Sequence, residues 1–171
     1  MHFISMPAAW DTTLLSRVQP AGDAVEYVLG RAAAGEPVRV AAPAVLEVTY
    51  GYELRAGRDP RFRSLLDWFT HLMASGTFRV VPLDGRAAVV AGRVRAAMPH
   101  PPGGRKRDPR SKTMRQAAWL LDIQIAASAF AAGLDVATAN RADFDEIAAV
   151  LATLFPAAPR LEVTDEPEGS A

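Results

Sequence analysis

Four carboxylates in this chain sit where an acid could do chemistry: Asp11, Glu47, Asp122 and Asp143. Asp122 stands in the run Trp119-Leu120-Leu121-Asp122-Ile123-Gln124-Ile125-Ala126-Ala127, where almost every neighbour is apolar. A lone carboxylate in such a helix is costly to bury unless something pairs with it. If the four acids converge, they cannot all stay ionised without a counter-charge, since like charges raise one another's pKa. No buried lysine or arginine accompanies them in sequence, so a hard divalent cation is the expected partner. Mg²⁺ takes oxygen ligands and is usually held by a few carboxylates, waters and substrate phosphates. Such an ion makes a bound water more acidic and neutralises charge on a phosphodiester under attack. Each acid also has a plainer reading. Asp11 serves equally as a turn or cap aspartate, Glu47 as a solvated helix residue, and Asp143 as the cap of the last helix. Asp122 resists the plain reading best, because its surroundings are apolar on every side.

Composition narrows the field. A length of 171 residues suits one domain with a substantial core. An apolar fraction of 50% with 22% charged residues is ordinary for a globular protein. The net charge is zero, so any nucleic-acid contact must use a local patch. There is no cysteine, which excludes disulfides, thiolate metal sites and cysteine nucleophiles and is compatible with a reducing cytosol. The opening residues lack a cationic leader and a long apolar core, so no secretory signal is expected. Residues 1–6 are read as an extension, since the Met6-Pro7 pair offers an alternative start that would leave the first five residues outside the domain. No apolar run reaches the roughly 18 residues of a membrane span, so a cytoplasmic location is expected.

The acids must be positioned by a scaffold, and the chain alternates strands with helices. Strands are expected at 8–10, 38–41, 78–82, 134–138 and 160–163. Helices are expected at 22–35, from Pro43 onward, at 61–75, 85–97, around Asp122, and at 145–154. Pro43 suits the first turn of a helix, Asp84 suits a cap, and Gly133 suits a helix end. Residues 99–112 form a basic Pro/Gly loop, which cannot be regular structure between 99 and 109. Residues 164–171 form an acidic tail expected to fray. This alternation predicts an α/β sandwich with a central, mainly parallel sheet flanked by helices. Ligands of such sheets bind at the C-terminal ends of the strands, where Asp11 and Asp143 both fall.

Four segments occur in a recognisable order: Asp11-Thr12-Thr13-Leu14-Leu15, then Ala44-Val45-Leu46-Glu47-Val48, then Leu121-Asp122-Ile123-Gln124-Ile125-Ala126-Ala127-Ser128-Ala129, then Ala137-Thr138-Ala139-Asn140-Arg141-Ala142-Asp143-Phe144. Together they resemble the PIN-domain family, and within it the VapC-type toxins of bacterial toxin–antitoxin modules. The resemblance runs from about residue 10 to 163 and implies a single PIN-like domain over 1–163. It implies a metal-dependent endoribonuclease using Mg²⁺ or Mn²⁺, with Asp11, Glu47 and Asp122 as the core metal-binding acids and Asp143 as the outermost. Thr13 matches the small polar position supporting the first acid. Asn140 stands where some relatives carry an acid, so Asp143 serves in its place. The resemblance further implies a homodimer with a cognate VapB-type antitoxin, whose groove would draw on residues 44–54 and part of 62–72.

Arg105, Lys106, Arg107, Arg110, Lys112 and Arg115 form a basic run in which Asp108 is the one acid. They are the best candidates for RNA phosphate contacts, and a solvated loop is the competing reading. Trp10 and Trp119 adjoin two of the acids but are expected in the core. His2, His71 and His100 show no metal-ligand spacing and receive no role. A phosphoaspartyl phosphatase would need an aspartate where Thr13 stands. No dinucleotide- or P-loop motif occurs, and no serine-hydrolase context. The remaining alternative is a non-catalytic PIN-like module that binds RNA or protein.

Overall fold

Five short strands pair into one sheet in the order β3-β2-β1-β4-β5, every pair parallel. They are β1 (Ala8–Trp10), β2 (Val38–Ala41), β3 (Phe78–Val81), β4 (Asp135–Ala137) and β5 (Val163–Thr164). The computed structural model describes residues 7–102 and 109–165. The expected extension at 1–6, the end of the acidic tail, and Arg105, Lys106 and Arg107 lie outside the described residues. Strands β1 and β4 consist largely of small apolar residues because both are covered on their two faces, as central parallel strands must be. Their register sets Ala8 beside Asp135 and Trp10 beside Ala137.

Helices carry the chain between strands: α1 (Thr12–Leu15), α2 (Asp23–Ala33), α3 (Ala42–Ala56), α4 (Arg61–Ala74), α5 (Gly85–Ala97), α6 (Lys112–Ala131) and α7 (Arg141–Leu154). Pro43 lies in the first turn of α3. The Asp84 carboxylate accepts from the Ala87 amide at 2.9 Å and starts α5. Gly133 ends α6 with φ of 67°, a left-handed conformation that favours glycine, and the Leu134 amide then reaches back to the Ala129 carbonyl at 3.0 Å. Trp119, Phe69 and Phe144 are the largest fully buried side chains, and Trp10 stacks on Tyr27 with ring centroids 5.9 Å apart. Both tryptophans are therefore core, as the sequence suggested. Among the described residues no helix is long and apolar enough to cross a membrane.

Several element ends shift by a residue or two, and three differences bear on the site. The loop expected to extend to residue 112 ends at Ser111, whose hydroxyl accepts from the Met114 amide at 3.2 Å, so Lys112 and Arg115 belong to the first turns of α6. The last helix starts at Arg141 instead of 145, which places Asp143 in its first turn, where an acid is favoured by the helix dipole. The last strand forms at Val163–Thr164 instead of 160–163, because only there does it meet β4, with the Val136 amide on the Glu162 carbonyl and the Thr138 amide on the Thr164 carbonyl.

This strand order contains a reversal. From β1 the chain steps outward to β2 and β3, then α5 and α6 carry it back to β4 on the far side of β1. Connections leaving β1 and β4 therefore diverge, and a crevice opens between them at the C-terminal ends.

Candidate active site

Asp11 is the first residue of that crevice. Its backbone amide donates to the Ala137 carbonyl at 3.2 Å, tying the end of β1 to the end of β4. Its side chain is 1% exposed and caps the short helix α1, accepting from the Leu14 amide at 3.1 Å. The Thr13 hydroxyl donates to Oδ1 at 2.7 Å and the Thr138 hydroxyl donates to Oδ2 at 2.6 Å. Both threonines are in turn fixed by backbone: Ala139 N–H donates to Thr13 Oγ1 at 2.9 Å, and Asn140 N–H to Thr138 Oγ1 at 2.8 Å. The cap role expected for Asp11 is thus filled, by a carboxylate that also lines the crevice. Burial raises its pKa, and the hydrogen bonds from Thr138, Thr13 and Leu14 pull in the other direction.

Around Asp11 opens a cavity of about 460 Å³ lined by Glu47, Asp122 and Asp143 as well. Each acid comes from a different element: α1's cap, α3, α6 and α7. Glu47 accepts from the Thr12 hydroxyl at 2.5 Å, so adjacent residues of the Asp11-Thr12-Thr13 turn hold two of the acids. Asp143 accepts from the Asn140 side-chain amide at 2.8 Å. Asp122 is half-buried, and burial, followed by the negative charges of Asp143, Asp11 and Glu47, pushes its pKa up to about 8. The four carboxylates share one electrostatic field.

Arg110, Lys112 and Arg115 line the same cavity, and Arg110 partly offsets the field at Asp122. No buried lysine or arginine is among them, but the residues around the start of α6 bring exposed or half-exposed cations to the same cavity. They leave Asp122 still raised. The sequence missed Thr12, Thr138, His100 and Gln116. Thr138 could have been found as the one hydroxyl at the end of an apolar strand. Nothing local signals His100, which reaches the cavity only because its Nδ1 lies 3.2 Å from Gln116 Oε1 on α6.

The donor set is carboxylate and hydroxyl oxygen, which suits Mg²⁺ or Mn²⁺ and not a thiophilic metal. Among the described residues no three acidic or histidine side chains stand close enough to hold a metal ion as placed. Glu47, Asp11 and Asp143 are each turned onto a neutral donor, and mutual repulsion opposes their closer approach. The fit is therefore one of donor chemistry and charge.

No protein-family model matches the chain, and no curated protein matches it. Solved structures do. A chain of the DNA-bound VapBC of Salmonella typhimurium is 19% identical with a TM-score of 0.56, the match covering 94% of this chain and 98% of that one. A chain of VapBC2 of Rickettsia felis, bound to a DNA fragment from their promoter, is 16% identical with a TM-score of 0.52, covering 92% and 97%. At these identities the likeness is one of fold, and it spans nearly the whole of each chain.

A raised carboxyl pKa means the folded protein binds a proton more tightly than the unfolded chain. The contribution of Asp122 to the stability of the metal-free protein should therefore be fully present below pH about 4, the unfolded value, and be lost as pH rises toward the folded value of about 8. Asp122→Asn carries no such charge and should melt higher than wild type at pH 8 in EDTA, with the gap closing at pH 4, as thermal denaturation would read. Thr138→Val, nearly isosteric, removes a donor from buried Asp11 and should destabilise by about 1.5–3 kcal/mol in chemical denaturation, the range for hydrogen bonds to charged groups.

Proposed function

We propose that this chain is a PIN-domain endoribonuclease of the VapC type, the toxin of a toxin–antitoxin pair, dependent on Mg²⁺ or Mn²⁺. The observation that carries the reading is the coupling of Asp122 to Asp143, Asp11 and Glu47, acids up to 132 positions apart in sequence, within one crevice at the sheet's reversal point. A carboxylate held near a pKa of about 8 by its neighbours is relieved by a cation, and perturbed groups of this kind gather at functional sites. The full-length likeness to chains of two VapBC assemblies supports the same assignment.

In this reading Asp11, Glu47 and Asp122 hold the ion, with Asp143 outermost. The bound ion would supply an acidified water and charge neutralisation at the phosphodiester. The chain's own residues do the rest. Thr13 and Thr138 fix the Asp11 carboxylate, Thr12 orients Glu47, and Asn140 orients Asp143. Arg110, Lys112 and Arg115 line the same cavity as the acids and would take the RNA phosphates, with the scissile phosphate at the acids. Before the ion arrives, Asp122 holds a proton at neutral pH.

For partners we assign a VapB-type antitoxin and a second copy of the chain, in the cytoplasm. Leu46, Tyr50 and Leu54 project from α3 at four-residue spacing, 62%, 62% and 49% exposed, the pattern of an apolar stripe awaiting a partner segment. The alternative, a non-catalytic PIN-like module, draws on the lack of a ready three-acid cluster among the described residues. Metal-dependent cleavage separates the two.

With Mg²⁺, the wild-type chain should cleave RNA and arrest growth when expressed. Asp122→Asn should lose both by more than about a hundredfold while remaining folded, because it removes the group on which the acidic floor converges. Equal cleavage by the two proteins would contradict the assignment. Neutralising Lys112 and Arg115 together should reduce the slope of log binding constant against log salt by about 1.4 for single-stranded RNA, at about 0.7 per phosphate lost.

A further inference from the structure

Beside the acid cavity lies a second groove, also of about 460 Å³. Thr113, Ala117 and Leu120 of α6 line it, together with Arg95 from the last turn of α5. His100, Lys112 and Gln116 complete the lining, and these three residues also line the acid cavity. The two hollows therefore share a wall. That wall is fixed, because the Gln116 side-chain amide donates to the Pro99 carbonyl while its Oε1 meets His100 Nδ1 at 3.2 Å.

Helical geometry explains the arrangement. With about 3.6 residues per turn, Arg115, Trp119 and Asp122 share one face of α6 and look into the acid cavity. Thr113, Ala117 and Leu120 lie roughly a third to half of a turn further round, and Lys112 and Gln116 fall between the two faces. From Asp122 to Gln116 is a step of about 9 Å along the axis, at about 1.5 Å per residue. An occupant of the groove would thus be continuous with one in the acid cavity.

The chemistry of the groove is specific. It combines the apolar Ala117 and Leu120 and the Thr113 hydroxyl with two cations, Arg95 and Lys112, an imidazole and a carboxamide. Ligand sites combine an apolar lining with a few placed polar groups, and single-stranded RNA is read by apolar or aromatic contact with base faces and hydrogen bonds to base edges. We propose that this groove holds the nucleotide adjoining the scissile phosphate, with its base over Ala117 and Leu120, its edge toward His100 and Gln116, and its phosphate between Arg95 and Lys112. The proposal rests on the nuclease reading and deepens it: the groove would set which base is preferred beside the cut.

The test uses the full chain in EDTA, titrated with UMP, CMP, AMP and GMP while the amide and methyl resonances of Thr113, Ala117 and Leu120 are followed. At least one nucleotide should shift them saturably, inorganic phosphate alone should not, and Ala117→Phe, which fills the groove, should weaken binding by more than about tenfold. Arg95→Glu, at an exposed position, should weaken it as well and serves if Ala117→Phe does not fold. In cleavage of short RNAs varied at the nucleotide beside the cut, Ala117→Phe should level the base preference through KM more than kcat. Absence of shifts with all four nucleotides, equal shifts with phosphate, or binding unchanged in both variants would overturn the proposal. Cleavage by folded Ala117→Phe with its base preference intact would end the groove assignment and leave the nuclease reading. Nucleotide binding here by a chain that cleaves no RNA would do the reverse, sustaining a nucleotide site and ending the nuclease reading.

Discussion

Mutual repulsion among carboxylates that the fold forces together is the constraint on which the site depends. Burying one charge costs several kcal/mol, and each further acid in the same field adds to that cost. The chain meets it in two ways. Asp11, the most buried, receives two hydroxyls and a backbone amide. Asp122 has no hydroxyl at comparable range among the described contacts and instead takes the burden as a raised pKa. Both acids are raised, Asp11 against the pull of its donors and Asp122 up to about 8, an arrangement in which a cation does the most good.

The sheet creates this constraint. Because β1 and β4 are neighbours but their outgoing connections diverge, the residue after β1 and the residues after β4 must face a common opening. Asp11, Thr138 and Asn140 are those residues. The hydrogen bonds joining Thr138 to Asp11 and Ala139 to Thr13 cross 127 and 126 positions of chain, so the site is also a seam between the first strand and the fourth. Substitutions there will register in stability as well as in chemistry, so a variant such as Thr138→Val, which removes both the donor to Asp11 and the acceptor of the Asn140 amide, needs both readouts.

Much of this was legible in the residues. Apolar runs and their punctuation by Pro43, Asp84 and Gly133 located the helices, and the alternation of elements indicated the parallel sheet. Asp122 declared itself because an acid among alanines, leucines and isoleucines needs a reason. Other features depended on tertiary contact that has no local signature. The early start of α7 follows from the Asn140-Arg141-Ala142-Asp143 segment settling as a first turn once Thr138 is pinned to Asp11, and β5 forms only where β4 offers it a partner. The part of His100 and Gln116 in the site arises from a hydrogen bond between residues sixteen apart across the chain between α5 and α6. The wall of cations was visible as a basic run, but its placement on α6 depended on the Ser111 cap.

If Asp122 carries a proton at neutral pH, a divalent ion bound among the proposed site acids should displace it. Calorimetric titration of the full chain with Mg²⁺ at pH 7, in two buffers of different ionisation enthalpy, measures that proton directly. Binding should release close to one proton per ion at pH 7, since the Asp122 pKa lies near 8, and the release should fade as pH is raised above that value. Binding without proton release at pH 7, or the same release from Asp122→Asn, would contradict the account.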